Sequence, residues 1–383
     1  MIFLFLLFFG ILLGIFTGLV PGIHSNTVIS ILSTFDIDQI YLIIIMIIPA
    51  HMIVSFIPSI FFGIPEQGTV ISVLPGHRMT LEGKGLLALK TVILSILLAT
   101  LISVIMFPIS LDLFPTIYSL IQPYIKYIVL GLSIIFVVKT KNPILSLGIF
   151  LLAGALGYVS LHSNLEDPFL PLFSGMFAIP IILNYTYSTI KKQNDPQLNK
   201  FEIRYVIIGV VGGFLSDLLP GISSPSQVAT FFSIFMPINS LGYLSTIASI
   251  STSQTIFALS TAASIGKARI GGVAWLEKFI DIRQNNFELL VFMFFSVAIT
   301  CGIVYLMRKK IASIANMNLS KLNILLAVYL TSIIFILNGF FGLAIFVVSG
   351  LLGYLTVRIG VTRTNLMGAV IVPTLMLLFR VFI

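Results

Sequence analysis

The sequence has 383 residues, of which 58% are hydrophobic and only 9% are charged, whereas soluble domains carry about 25% charged residues. Apolar runs of roughly 20 residues, the length that crosses a hydrocarbon core of about 30 Å, recur from one end to the other. They are continuous rather than alternating, which excludes a β-barrel. The formal net charge of +8 lies in short loops, as the positive-inside rule expects of a multi-pass protein of the cell membrane, and we expect no nucleic-acid partner. The composition therefore predicts an all-α, polytopic membrane protein.

In chain order, the apolar runs predict about 10–12 transmembrane helices. They lie near 2–20, 39–63, 85–108, 124–138, 143–160, 168–188, 204–219, 241–262, 287–307, 322–339, 341–357 and 365–382. The polar stretch 191–204 contains basic residues, a proline and no apolar period, so it is predicted to be a linker. The predicted organisation is a membrane repeat at 1–190, the linker at 191–204 and a second membrane repeat at 205–383.

The two predicted repeats align with each other in several collinear blocks. With an offset of 199, Gly10, Gly14, Leu19, Pro21, Gly22, Ile23 and Ser25 meet Gly209, Gly213, Leu218, Pro220, Gly221, Ile222 and Ser224. Later blocks align Ser55 with Ser251, residues 153–158 with 349–354, and residues 173–180 with 366–373. Where a loop of one half is basic, the loop aligned with it in the other half has no basic residue. Because basic loops stay on the cytoplasmic side, this exchange favours an inverted topology.

Each half contains a Pro-Gly pair at the end of an apolar run, at 21–22 and at 220–221. Such a pair interrupts a helix, and a break at bilayer depth is tolerated only inside protein or beside water. The hydroxyl and amide residues that follow each break are good helix caps. Two broken or re-entrant helices in related halves therefore predict a transporter site near the midplane, whose helix N-termini attract carboxylate or phosphate. The predicted substrate-binding residues here are Pro21, Gly22, His24, Ser25, Asn26, Pro220, Gly221, Ser223, Ser224 and Ser226.

Ionisable groups at membrane depth are costly and are usually functional. His24 follows the first break, and Asp217 lies three residues before Pro220. We expect these two side chains to couple transport to H⁺ or Na⁺, while an ion pair at a helix end remains the alternative for Asp217. No other cofactor and no metal site is expected.

A series of motifs in the first half and at the end of the second resembles one known family. "GLVPGIHSNTVISIL", "GIPEQGTVISVLPGHRMTLEGKGLLAL", "DPFLPLFSGMFAIP" and "VVSGLLGYLTVRIGVTRTNLMGAVIVP" follow one another in the order of the large membrane subunit of tripartite tricarboxylate transporters. The resemblance implies uptake of an organic anion, with a solute-binding protein and a small membrane subunit as partners. It matches Pro21, Gly22, Pro220 and Gly221 to the family's broken-helix motifs, and it adds Gly63, Pro65 and Gly68 as site residues.

The sequence leaves other functions open. "LLPGISSPS" also resembles a motif of polyprenyl-phosphate translocases, so the alternative is a flippase of a lipid-linked phosphate. A homodimer is a further open expectation. An intramembrane enzyme is the weakest hypothesis, because no H-E-x-x-H, no G-x-S-x-G and no recognised pair of membrane-depth aspartates occurs.

Overall fold

The computed structural model describes residues 2–20, 24–63, 73–183, 191–198, 201–219, 239–314 and 319–381, together with residues 225, 228, 229 and 232. All regular structure in these ranges is helical. The first half contains α1 Ile2–Leu19, α2 Ser25–Leu32, α3 Ile40–Val54 with a π-helical turn Pro58–Phe62, α4 Val73–Leu81, α5 Gly85–Ile121, α6 Ile125–Val138, α7 Pro143–Leu161, α8 Phe169–Phe173, a π-helical turn Ser174–Ala178 and α9 Ile179–Leu183. The second half contains α10 Ile203–Ser216, α11 Ser240–Ile265, α12 Gly271–Leu276, α13 Ile282–Ile314, α14 Leu319–Arg358, a 3-10 turn Arg363–Met367 and α15 Gly368–Leu378.

Six helices in the described ranges are long and apolar enough to cross a membrane, and three shorter apolar helices accompany them. This confirms an all-α, polytopic membrane protein. Three predicted spans differ in extent. The span predicted at 85–108 continues through Pro108 and Pro115 to Ile121, and those predicted at 322–339 and 341–357 join in α14 across a kink at Gly339, whose φ is 60°.

Glycines that align between the halves make the same helix–helix contacts. α1 lies against α3, where a Cβ on Gly10 would be 2.6 Å from the Ile43 carbonyl oxygen. α10 lies against α11, where a Cβ on Gly209 would be 2.8 Å from the Thr246 carbonyl oxygen. Only glycine lets the two backbones of each pair approach this closely, as is common between membrane helices.

A second pair of glycine contacts crosses from one half to the other. Gly154 of α7 faces Val372 of α15, and Gly350 of α14 faces Ile179 of α9. In the sequence alignment Gly154 matches Gly350 and Ile179 matches Val372. In each half, the helix with the aligned glycine packs against the last helix of the other half. This exchange is what two related repeats would produce.

The directions of three long helices follow from their side-chain contacts. α5 and α11 run parallel, because Ser95 Oγ is 2.8 Å from Ser245 Oγ and Ser110 Oγ is 2.7 Å from Ser260 Oγ. α5 and α13 run antiparallel, because Asp195 pairs with Lys90 near the start of one and with Arg308 near the end of the other. An inverted repeat requires equivalent third helices of opposite direction, and the inverted topology stays a prediction.

The molecule thus has two ends that can be told apart. The linker end holds residues 191–198, where the Gln193 side-chain oxygen accepts a hydrogen bond of 2.8 Å from the Gly85 backbone. The opposite end, called the far face below, holds the last residues of α5 and α11 and the first residues of α13.

Candidate functional site

The structure describes five of the predicted site residues, which are His24, Ser25, Asn26, Gly63 and Asp217. The other nine lie outside the described residues: Pro21, Gly22, Pro65, Gly68, Pro220, Gly221, Ser223, Ser224 and Ser226. Gly63 ends the π-helical turn after α3 with φ 67°, a left-handed conformation that glycine adopts readily.

The helix after the first break starts differently from the prediction. His24 is the N-cap of α2, and its Nδ1 accepts a hydrogen bond of 3.1 Å from the Asn26 backbone N–H. Ser25 is the first helical residue, and its hydroxyl oxygen is 3.4 Å from His24 Nδ1. The sequence predicted that a hydroxyl or amide side chain after the break caps the helix. The cap is instead the imidazole of His24, because α2 begins at Ser25 and the capping position therefore lies one residue before those side chains.

A buried histidine lies directly beneath this cap. The rings of His24 and His51 are 5.0 Å apart, and His51 Nδ1 is 3.0 Å from the Thr17 hydroxyl. That hydroxyl also donates to the Gly14 carbonyl oxygen at 3.1 Å. The result is a polar chain of Thr17, His51 and His24 that reaches the end of the first break.

Asn26 connects the first broken helix to the second half. A Cβ on Gly271, the first residue of α12, would be 2.8 Å from Asn26 Cγ. Asn26 Oδ1 is buried, and none of the described residues bonds to it. This amide oxygen is a hydrogen-bond acceptor held at the interface of the two repeats.

The second half repeats the arrangement with different side chains. Ser216 occupies the position of Thr17, and its hydroxyl donates to the Gly213 carbonyl oxygen at 2.8 Å. The glycine contacts pair His51 with Gln254: a Cβ on Gly14 would be 3.1 Å from the His51 nitrogen, and one on Gly213 would be 2.8 Å from the Gln254 nitrogen. This register differs from the offset that aligned Ser55 with Ser251. The serine-rich α11 has no apolar period that could have fixed the register from sequence.

Asp217 is completely buried at the end of α10, immediately before the second break. Its side chain lies close to the Gln254 amide and to Arg269. Arg269 also donates from Nε to the Asp217 backbone carbonyl oxygen at 2.9 Å. A buried carboxylate, an amide and a guanidinium therefore meet where the chain leaves α10.

Several hydroxyls of α11, a helix rich in serine and threonine, are engaged in packing. Ser260 bonds to Ser110 of α5, and Ser253 donates to the Gly209 carbonyl oxygen at 3.3 Å. These side chains hold helices together. No group of three His, Cys, Asp or Glu side chains that could hold a metal ion occurs in the part of the chain that the structure describes.

Comparison with known proteins adds the family. The model of the tripartite tricarboxylate transporter TctA family matches residues 4–368, nearly the whole chain. The chain belongs to the TctA family. This confirms the resemblance seen in the motifs, and membership places the protein among multi-pass membrane components of tricarboxylate transport rather than among enzymes.

Among relatives of this TctA-family chain is the uncharacterized protein MJ1079 of Methanocaldococcus jannaschii, which is 25% identical over 400 residues and covers 98% of both chains. No solved structure matches the chain. The family match gives no support to the lipid-phosphate alternative.

The sequence marks His51 as an ionisable residue inside an apolar span and favours a buried histidine with its hydrogen bond made, as the structure has it. It assigns no role to Thr17 or Gln254, because their importance depends on which helix lies opposite.

Proposed function

We propose that this TctA-family chain is a permease that moves a small organic anion, such as a carboxylate, across the cell membrane. The anion is held between the two broken helices, and an ion gradient drives its uptake. The observation that carries the proposal is the repeated polar arrangement before the breaks, with Thr17 and His51 in one half and Ser216 and Gln254 in the other. The family supports the choice of a carboxylate.

Ion coupling is assigned to Asp217 and His24. A carboxylate that is completely buried at membrane depth is expensive to keep charged, so binding H⁺ or Na⁺ at Asp217 lowers the cost of exposing the site to each side in turn. His24 lies beside His51 at the other break and offers a second group that can bind a proton.

A solute-binding protein and a small membrane subunit are the proposed partners. In a tripartite system the solute-binding protein delivers the anion, so the permease itself needs only modest affinity. This proposal rests on the family, and its check is whether adding a solute-binding protein encoded beside the gene raises uptake.

The test is uptake of radiolabelled citrate into proteoliposomes under an inward proton or sodium gradient, with and without that solute-binding protein. We expect Asp217→Asn to abolish gradient-driven uptake, because the neutral amide cannot take up a proton and lacks the negative charge that attracts Na⁺. The matched control is Asp112→Asn, which removes an exposed carboxylate of α5 and should leave uptake unchanged.

Two results would contradict the proposal. Retained pH and sodium dependence in Asp217→Asn would remove Asp217 from coupling. A wild-type protein that takes up no mono-, di- or tricarboxylate under any gradient, with the solute-binding protein present, would overturn the permease assignment itself.

A further inference from the structure

A cavity of about 700 Å³ opens at the far face, between the ends of α5 and α11 on one side and α6 and α15 on the other. We call it the far-face vestibule. Its polar lining is unusual, because four of its lining residues are cationic and none is acidic: Lys126, Lys267, Arg269 and Arg380. Tyr118 and Gln122, at the end of α5, add a ring and an amide.

The four cations come from three separate parts of the chain. Lys126 lies in the first turn of α6. Lys267 and Arg269 follow Gly266, which ends α11 with φ 62°. Arg380 lies after α15 with φ 55°, a left-handed conformation that few residues other than glycine adopt. Tertiary structure alone therefore assembles this charge.

The charge of the vestibule is largely left without a protein counter-ion. Arg269 lies near the Asp217 carboxylate, but among the described residues no carboxylate forms an ion pair with Lys126, Lys267 or Arg380; the described ion pairs use other lysines and arginines. Lys126 lies 5.5 Å from the Phe379 ring and Lys267 lies 5.5 Å from the Tyr118 ring. These ring contacts favour the cations without removing their charge, and the mutual repulsion of these like charges is left for an anion to relieve.

The position of the vestibule argues against a topological explanation of its charge. The linker end carries Arg308, Lys309 and Lys310, which makes it the predicted cytoplasmic end. The vestibule lies at the opposite end, where the positive-inside rule does not call for basic residues. Its lysines and arginines therefore need another reason.

The vestibule is also joined to the second broken helix. Arg269 lines the cavity and donates to the backbone carbonyl oxygen of Asp217, the last residue before the stretch that leads to Pro220. An anion in the vestibule is thus one side chain away from the coupling carboxylate.

We propose that the far-face vestibule is a binding site for multivalent carboxylates, which collects the anion from the aqueous phase before it reaches the broken helices. This inference rests on the proposed function and adds the side from which the anion arrives and a preference for several negative charges. Clustered cations focus the field of a cleft and raise the local concentration of an anion by about 10–10³. The attraction grows with each charge on the anion, so a tricarboxylate gains more than a monocarboxylate.

The first experiment measures the potential in the vestibule and needs no transport. Cys301, the single cysteine, is buried and is replaced by alanine; Gln122→Cys then places a thiol in the cavity. Its reaction rates with an anionic and a cationic methanethiosulfonate of similar size are compared. Gln284→Cys, an exposed far-face site at the start of α13, is the control.

We expect the ratio of anionic to cationic rates to be about tenfold higher at Gln122→Cys than at the control. Lys267→Gln with Arg380→Gln should bring it close to the control value, as should high salt. Citrate should slow labelling more than succinate, and succinate more than acetate. Equal ratios at the two cysteines, or protection that does not depend on anion charge, would overturn the proposal.

Two further arms separate the vestibule from its alternatives. Labelling is repeated in phosphatidylcholine liposomes with and without phosphatidylglycerol; protection by the anionic lipid but not by citrate would make the cavity a lipid-headgroup site and refute carboxylate binding. In uptake assays, Lys267→Gln with Arg380→Gln should raise the KM for citrate about tenfold with little change in kcat, whereas Lys278→Gln, an exposed lysine outside the cavity, should not. If the wild type transports citrate and the double variant has an unchanged KM, the vestibule proposal alone is refuted. If the wild type transports no citrate but citrate still protects Gln122→Cys from labelling, the permease assignment alone is refuted.

Discussion

The contact of α7 with α15 gives a direct test of the packing between the two halves. Gly157→Ala adds a Cβ that would be 2.5 Å from the Ala369 carbonyl carbon and 2.7 Å from its Cα. Gly148→Ala, in the same helix, adds a Cβ with no atom within 4 Å. The two variants make the same chemical change and differ only in what lies opposite.

The expected magnitudes follow from these distances. Ordinary contact begins at 3.4 Å, and the atoms opposite Gly157 are backbone, so no side chain can rotate away. The helices must separate by about 1 Å, and overpacking of this kind costs about 1–3 kcal/mol. Replacing glycine by alanine inside a helix gains up to about 1 kcal/mol. We therefore expect Gly157→Ala to destabilise by about 1–2 kcal/mol and Gly148→Ala to be neutral or stabilising by up to about 1 kcal/mol.

The assay heats the purified protein in one detergent and measures the fraction that stays monodisperse at each temperature, which gives a midpoint of thermal unfolding. Gly353→Ala extends it to the other half, because its Cβ would be 2.7 Å from the Met176 carbonyl carbon. Gly157→Ala and Gly353→Ala should lower the midpoint while Gly148→Ala does not. If all three variants melt together with the wild type, the close glycine contacts between the halves do not exist and the packing described above is wrong.

Two further predictions concern the linker end and the topology. Lys90 and Arg308 pair with Asp195, and the pKa of Asp195 lies below its ordinary value chiefly because Lys90 hydrogen-bonds to the carboxylate. The pair therefore stabilises the fold above about pH 4, the ordinary aspartate pKa, and this contribution is lost as the pH falls through the lower folded pKa. Asp195→Asn should cost about 1.5–3 kcal/mol at pH 7, and the difference from wild type should shrink in melting experiments at acid pH; a difference that stays constant from pH 7 to pH 3 would contradict the ion pair. The topology is tested with single cysteines in the Cys301→Ala background. A cysteine at Lys141 should be labelled from the cytoplasmic side and one at Ser163 from the opposite side; likewise, a cysteine at Lys309 should be labelled from the cytoplasmic side and one at Gln284 from the opposite side. Labelling of Lys141 and Lys309 from different sides would refute the inverted relationship of the halves.

The agreement between sequence and structure is closest where a pattern is local. The glycines aligned at positions 10 and 209 make equivalent contacts, because close helix packing requires a missing side chain at a fixed place in each helix. The cap of α2 was predicted one residue too late. A histidine is not a frequent cap, and whether its ring can turn back to the Asn26 nitrogen depends on the path of the chain after the break.

The sequence by itself determined that this protein is a helical, multi-pass membrane protein and predicted two related halves, because hydropathy, loop charge and glycine spacing are properties of short segments. It also determined the family, through motifs that stay in order along the chain. Only the tertiary structure decided that His51 lies under His24, that Gln254 takes the corresponding place beside Asp217, and that three distant parts of the chain surround one basic cavity. The physical reason is that these groups meet through the packing of whole helices, whose neighbours and register depend on every contact in the fold at once.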